Sequence, residues 1–501
     1  MPRATRAGQL KCRTMDHRAV ILAAAMAAVI LSPWEVRAQS VVEAVRMGLD
    51  NSYILQAERE RHNALIEGQV QVRNLRRPNI QLEATSNIRQ RASLNAGAYI
   101  RDTSEPGSLS LSAVQPLVLG GRYQAAMREA DLRVAQSVAR IRGRELSVVR
   151  EIIEAYADVR RDYQVSEIRA EGVTWLTDQL AGTRARQKEG LVGLTEVSQV
   201  ETRLASARRL ATNAQARLQS SWAILERRMG ARPAGLTEDE IHPDDLPDTL
   251  LEAIDLAIAN SNVLKASRFD EDIARAAARR IQAENGPRVN LQASVSGRSD
   301  TSFNGDRDYD AQIGVRFVMP LWSGGQPQSR ARAALAESNA ARFDAIADER
   351  LLTEQVTTAW ARLNAARNSK AIAEELVRAA QVARRGAELE FDIGLRSIIE
   401  VLNQEQELQE ARVGFESAKA ELMAAQAALS SLIGLDPTGV INERTQFDPS
   451  KMAISYATAT PGKLAVWERP LVTVFEVVDD AQLDTRSTIN TLKRSVFGPE
   501  L

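Results

Sequence analysis

Chemistry at a metal or a nucleophile needs histidines, cysteines and carboxylates held together, and this chain of 501 residues offers one cysteine, Cys12, and three histidines, His17, His62 and His242. That supply builds no zinc, haem or iron–sulfur ligand set. No nucleophile, base and orienting group stand together either, so the expectation is a non-enzyme with no metal and no cofactor. Charge is abundant but balanced: 64 Lys and Arg against 65 Asp and Glu give a net charge of -1, which implies no basic field for nucleic acid. Two patterns remain. Arg396 and Glu400, four residues apart at a helix start, read on spacing alone as a surface ion pair. A Pro-Leu-x-x-Gly-Gly motif occurs twice, at Pro116 to Gly120 and Gly121 and at Pro320 to Gly324 and Gly325. It fails as a phosphate loop, since no Lys-Ser or Lys-Thr follows. Proline stops strand pairing and the glycines allow a sharp change of direction, so the motif is expected to end a returning strand and open a helix.

The elements that would carry these turns are foreshadowed by composition. Aromatic residues are 4% of the chain while Ala, Leu, Val, Glu, Gln and Arg dominate, the profile of long helices. At the start, Arg13 and Arg18 precede an apolar run from Ala19 to Leu31, then Pro33 and Val36-Arg37-Ala38. This reads as a secretory signal over residues 1–38, cleaved after Ala38, with Met1 or Met15 as the start. The run is too short to span a bilayer. Cys12 lies before it and cannot be a lipid-acceptor cysteine. Without residues 1–38 the charges are 58 against 63, a net of -5. No other apolar stretch reaches transmembrane helical length, so membrane insertion would be by strands.

An internal repeat organises the rest. Glu43-Ala44-Val45 with Asn51 recurs 209 residues on as Glu252-Ala253-Ile254 with Asn260, and Pro78-Asn79-Ile80-Gln81-Leu82 as Pro287-Arg288-Val289-Asn290-Leu291. Gln115 to Arg122 recurs 204 residues on as Met319 to Gln326, Gly190-Leu191 as Gly394-Leu395, and Met229-Gly230 as Ile433-Gly434. The duplication predicts a first repeat over 39–235, a connector over 236–251, a second repeat over 252–436 and an extension over 437–501, periplasmic and without a counterpart in the first repeat. Each repeat holds a helix, a β-hairpin (about 79–118 and 288–321), a long helix, a turn (188–195 and 390–397) and a short helix.

The helical spans show apolar spacings of three and four, as in Leu204, Ala207, Ala211, Ala214 and Leu218, with alanine-rich seams that suit close packing and a wetted face. The stretch from Gly121 to about Lys188 would run roughly 100 Å at 1.5 Å per residue, and a short helix covers half of that. Val41 to about Leu75 and Glu252 to about Glu284 are expected as single helices that supply the other halves. In the hairpins, Val289, Leu291, Ala293 and Val295 alternate with polar residues, as do Tyr309, Ala311, Ile313, Val315 and Phe317, Ile80, Leu82 and Ala84, and Leu109, Leu111 and Ala113. Strands of about ten residues with one apolar and one wet face suit a water-filled barrel. Four per chain cannot close one, so several copies must share it. Tyr99, Phe303, Tyr309, Phe317 and Trp322 are the candidates for an aromatic girdle. A periplasmic coiled-coil rod or adaptor is the alternative, and it has no use for duplicated amphipathic hairpins.

The duplicated plan, the Gln115 to Arg122 motif and the turn Phe391 to Asn403 resemble the TolC-like outer membrane factors over about residues 41–436. The resemblance implies a fold that is mainly α with transmembrane β: a duplicated α-helical barrel with four strands per chain, joined in a homotrimer with a 12-stranded outer-membrane β-barrel. It implies a duct that contacts outer-membrane lipid and docks a periplasmic adaptor (membrane fusion) protein and an inner-membrane ABC or RND transporter. Type I protein secretion is favoured over small-molecule efflux. It further implies a gate at the periplasmic turns, with Arg396 as latch, Thr195 and Glu196 as its partners and Glu400 in an acidic ring. Phe391 stands where a tyrosine is typical and Asn403 where a second aspartate is typical.

Overall fold

The computed structural model describes residues 39–95, 98–104, 106–233, 235–237, 246–299 and 307–443. The signal segment 1–38, residues 238–245 of the connector, His242, Phe303 and residues 444–501 lie outside the described residues, as does the side chain of Tyr99. The chain forms two compact units. One takes the stretch up to Glu58 with Gln136–Ala274 and Leu335–Asn442; the other takes Arg59–Ala135 and Arg275–Ala334.

The helices are α1 (Val41–Asn51), α2 (Tyr53–Asn74), α3 (Arg122–Lys188), α4 (Leu194–Met229), α5 (Leu250–Asn260), α6 (Asn262–Gln282), α7 (Gln326–Asp392), α8 (Ile398–Leu432) and α9 (Val440–Glu443). Ser40 opens α1 with a reciprocal cap: its Oγ accepts from Glu43 N at 3.2 Å and its own N donates to Glu43 at 3.3 Å. Two of the apolar clusters that hold the first unit are copies of each other. Val148, Ile152, Ala155 and Val159 of α3 pack with Leu225 and Met229 of α4 in one. Leu352, Val356, Ala359 and Leu363 of α7 pack with Leu429 and Ile433 in the other, every residue 204 positions on. Each fully buried Ile or Leu here contributes roughly 1.5–3 kcal/mol.

The two segments expected as single helices are each broken, at Ser52 (φ -70°, ψ 105°) and Ser261 (φ -54°, ψ 118°). The cause is local and duplicated. Each serine Oγ caps the next helix, accepting from Leu55 N and from Leu264 N at 3.4 Å. The asparagine before each serine lies against a left-handed glycine that ends a neighbouring helix. Asn51 Nδ2 donates to Met229 O at 3.0 Å beside Gly230, and Asn260 lies against Gly434.

In the second unit, β1 (Asn79–Ser86), β4 (Gly107–Leu119), β5 (Arg288–Ser299) and β6 (Arg307–Val318) form an antiparallel sheet in the order β1-β4-β5-β6. Its register sorts the side chains by polarity. Ile80, Ala113, Ala293 and Ile313 form one row across all four strands, and Leu82, Leu111, Val295 and Ala311 another, two residues along the same face. The rows between them, Gln81, Ser112, Ser294 and Gln312, then Glu83, Ser110, Ser296 and Asp310, lie on the opposite face. Ile313 is 77% exposed, so the described residues leave the apolar face uncovered there.

Two features depart from the expected hairpins. The first carries a second, two-stranded sheet at its end, β2 (Arg89–Asn95) with β3 (Ala98–Ser104), whose sequence lacks the alternation that marks the other strands. Pro116 does not stop β4. Pairing with β5 slips between Pro116 and Val118 and resumes to Leu119, because a bulge tolerates the missing N–H. At the other copy pairing ends at Val318, before Pro320. Gly120, Gly121, Gly324 and Gly325 all have positive φ, at 61°, 86°, 64° and 74°, and turn the chain into α3 and α7.

Candidate gate at the helix turns

The turns from α3 to α4 and from α7 to α8 are built alike. Gly190 (φ 75°) and Gly394 (φ 79°) adopt the left-handed conformation after each long helix. Gly190 N donates to Gln187 O and Leu191 N to Arg186 O, both at 2.9 Å; Gly394 N donates to Phe391 O at 2.9 Å and Leu395 N to Glu390 O at 2.8 Å. These paired bonds satisfy the last carbonyls of the helices and reverse the chain without a long loop. Behind the turns, Leu176, Leu180, Val197, Val200, Leu204, Ala387, Ile398, Val401 and Leu402 make a shared apolar core.

On this frame the candidate residues fall into two groups. Arg396 hydrogen-bonds Glu390 through Nε and lies 3.5 Å from Glu400 through Nη1. All three side chains are about half exposed, so each pair contributes little on its own. Glu196 accepts instead from the N–H of Gly193 at 2.8 Å, fixing the start of α4, and Thr195 is exposed in the first turn of that helix. Within one chain, therefore, Arg396 meets Glu390 and Glu400 and does not meet Thr195 or Glu196.

Phe391 packs against the apolar core and carries the Arg186 guanidinium over its ring at 4.6 Å. Asn403 Oδ1 accepts from Arg203 Nη2 at 2.7 Å, and Arg203 also bonds Gln406 through Nη1. Further from the turn, Arg412 donates to Glu171 at 2.7 Å, and Gly172 lets α3 approach the amide of Gln409 so closely that a Cβ there would overlap it. These bonds tie the α3 and α4 pair to α8. Arg186, Glu390, Arg203 and Gln406 were not reached from the sequence. The repeat offset held a signal for one of them, since Arg203 maps to within one residue of Gln406.

A duplicated set of long helices joined by tight glycine turns, with an antiparallel sheet apolar over one face and polar over the other, defines a TolC-like outer-membrane channel protein. Residues 45–231 and 253–435 match the family described as "Outer membrane efflux protein", one match per repeat, and the chain belongs to that family. It is 25% identical over 338 residues to the outer membrane efflux protein BepC of Brucella suis, covering 66% of this chain and 73% of that one. It is 22% identical over 406 residues to the outer membrane protein TolC of Vibrio cholerae, covering 79% and 91%. The alkaline protease secretion protein AprF of Pseudomonas aeruginosa is 26% identical over 184 residues, covering 36% and 38%. Among solved structures, the outer membrane protein VceC of Vibrio cholerae superposes with a TM-score of 0.64 at 19% identity, covering 79% of this chain and 96% of that one, a likeness of fold.

Proposed function

We propose that this chain, freed of residues 1–38, assembles as a homotrimer into an export duct, with the sheets of three copies closing one 12-stranded barrel in outer-membrane lipid and the helices extending into the periplasm of a Gram-negative envelope. The observation that carries the reading is the run of apolar rows across β1, β4, β5 and β6 on a face that the described residues leave uncovered. A polar opposite face suits a wet lumen. Lipid cannot satisfy the open edges of β1 and β6, so copies must close the sheet. A periplasmic rod or adaptor would have no use for that face.

At the periplasmic turns, Arg396 latches the duct shut by reaching Thr195 and Glu196 of the neighbouring copy, and three copies of Glu400 ring the constriction. Half-exposed pairs are weak singly. Summed over three copies with their hydrogen bonds they bias closed against open on the order of a few kcal/mol. The turns receive a periplasmic adaptor protein, and an inner-membrane ABC or RND transporter feeds the duct. For cargo we favour proteins exported by an ATP-driven system; AprF supports this by name, whereas BepC is named for efflux. Crosslinking the native complex and identifying the pump separates the two: an ABC transporter of the protein-exporting type bears the assignment out, and a proton-driven pump overturns it.

The test of the duct is single-channel conductance in planar bilayers, comparing the natural protein with Arg396→Ala combined with Glu196→Ala. Small cation-selective steps that grow markedly in the double variant are expected. Unchanged conductance removes the gate and leaves the duct. Well-folded protein that forms no pores overturns the duct and favours the rod.

A further inference from the structure

We propose that copies of this chain also join through their helices, the exposed face of α4 in one copy lying on the exposed face of α7 in the next with Arg208 paired to Glu375, an inference that rests on the homotrimer reading. The pattern for this seam exists inside the chain, between α3 and α8. Arg412 on α8 donates to Glu171 on α3 at 2.7 Å. Gly172 on α3 admits the Gln409 amide of α8 where a Cβ would overlap it. Arg169 on α3 is attracted to Glu410 on α8. Ile168, one turn before Gly172 on the same stripe of α3, is 3% exposed.

The duplication carries these positions to α7 and α4. The offset of 204 takes Ile168, Arg169, Glu171 and Gly172 to Ile372, Ala373, Glu375 and Leu376 on α7, and takes Gln409, Glu410 and Arg412 back to Ala205, Ser206 and Arg208 on α4. The two sets stay complementary. Glu375 and Arg208 keep the charges of Glu171 and Arg412. Leu376 and Ala205 again set a small residue against a large one, with the sides exchanged. Ala373 and Ser206 replace both members of the Arg169 and Glu410 pair, so neither charge is left without its opposite. Yet Ile372 is 66% and Leu376 55% exposed. Arg208 and Glu375 are exposed too, and neither makes an ion pair among the described residues. Ile372, Glu375 and Leu376 share one stripe of α7, and Ala205 and Arg208 one stripe of α4. One chain therefore leaves open the counterpart of the seam it closes between α3 and α8, and a second copy supplies the missing side. The apolar stripe drives the contact and the ion pair sets its register, since an exposed pair alone contributes little. Contact of α4 with α7 of the next copy is heterologous, the kind that closes rings.

The experiment uses the full chain exported to native membranes, with a short bis-maleimide as the linker. Arg208→Cys combined with Glu375→Cys is compared with Glu171→Cys combined with Arg412→Cys, and the mass of the unlinked natural protein in detergent is measured by light scattering. The expected result is covalent dimers and trimers from the first pair, a link inside single chains from the second, and a mass of three copies. A first pair that links only within one chain overturns the seam. A first pair that does not link, while the second does and the mass is three copies, overturns the seam and leaves the homotrimer. A mass of one copy overturns both. Charge exchange tests the ion pair itself: Arg208→Glu and Glu375→Arg should each lower the temperature at which the copies separate, and the combined variant should recover most of the loss. No recovery overturns the pairing of these two residues.

Discussion

Arg203 shows how the turns are braced by single side chains. Its guanidinium holds Asn403 and Gln406 on the facing helix, and the whole group is exposed, so about 0.5–1 kcal/mol per copy is the scale of the coupling. If the turns form the gate, Arg203→Ala and Asn403→Ala each raise the open fraction in bilayers about two- to fivefold. The double variant does no more than Arg203→Ala alone, because that single change already removes the contact with Asn403. Additive effects would show that the two residues act separately. His62 supplies a pH prediction. It is fully buried in α2, and burial holds its pKa below the ordinary value of about 6.5. As pH falls, the unfolded chain takes up this proton first, so His62 costs nothing well above pH 6.5 and destabilises the fold increasingly below it. The melting temperature should therefore fall between pH 7.5 and 5.5, and fall less in His62→Gln; an equal fall would show that His62 is not the group responsible. Arg396 and Glu400 were legible in the sequence because they lie four residues apart, Arg396 in the turn just before α8 and Glu400 in the first turn of α8. The contact between Arg203 and Asn403 was not, since 200 residues separate them and no local pattern joins them.

Among the elements, the paired glycines before α3 and α7 look alike in sequence and differ in surroundings. Gly120 (φ 61°) lies against Gly286, where a Cβ would approach backbone carbon at 2.7 Å; Gly324 (φ 64°) has nothing within 4 Å of its Cβ position. Alanine at either site meets the left-handed penalty of about 1–2 kcal/mol. Gly120→Ala adds a backbone clash that cannot be relieved by a rotamer, so its loss of stability should clearly exceed that of Gly324→Ala in urea unfolding; equal losses would mean that the approach to Gly286 relaxes. The strand alternation and the helical spacings were readable because each is a local period. The breaks at Ser52 and Ser261 were not. A serine within an apolar-periodic stretch carries no stop signal until Asn51 and Asn260 are seen to sit on Gly230 and Gly434. Likewise Pro116 was readable as a disturbance of pairing, but whether it ends a strand or bulges it depends on how far β5 extends beside it.

At the scale of the whole molecule, the sheet leaves β1 and β6 as open edges, with exposed Ile80 and Leu82 on one and Ile313, Val315 and Phe317 on the other. Four strands lie below the roughly eight that the smallest bacterial barrels need, and an unpaired edge in lipid costs several kcal/mol per unsatisfied group. The strands themselves were legible in the sequence, but the number of copies was not, because closure depends on a neighbour's edge. Joining β6 of one copy to β1 of the next is heterologous, and such a contact either closes into a ring or propagates without end. Placing one cysteine on β1 and one on β6 in a chain whose Cys12 lies within residues 1–38 tests which occurs. Mild oxidation in native membranes should give covalent dimers and trimers with trimer as the largest species, and either cysteine alone should give no ladder. Species beyond the trimer would refute three-copy closure. Failure to crosslink across several registers in folded protein would refute the β1-to-β6 joint itself.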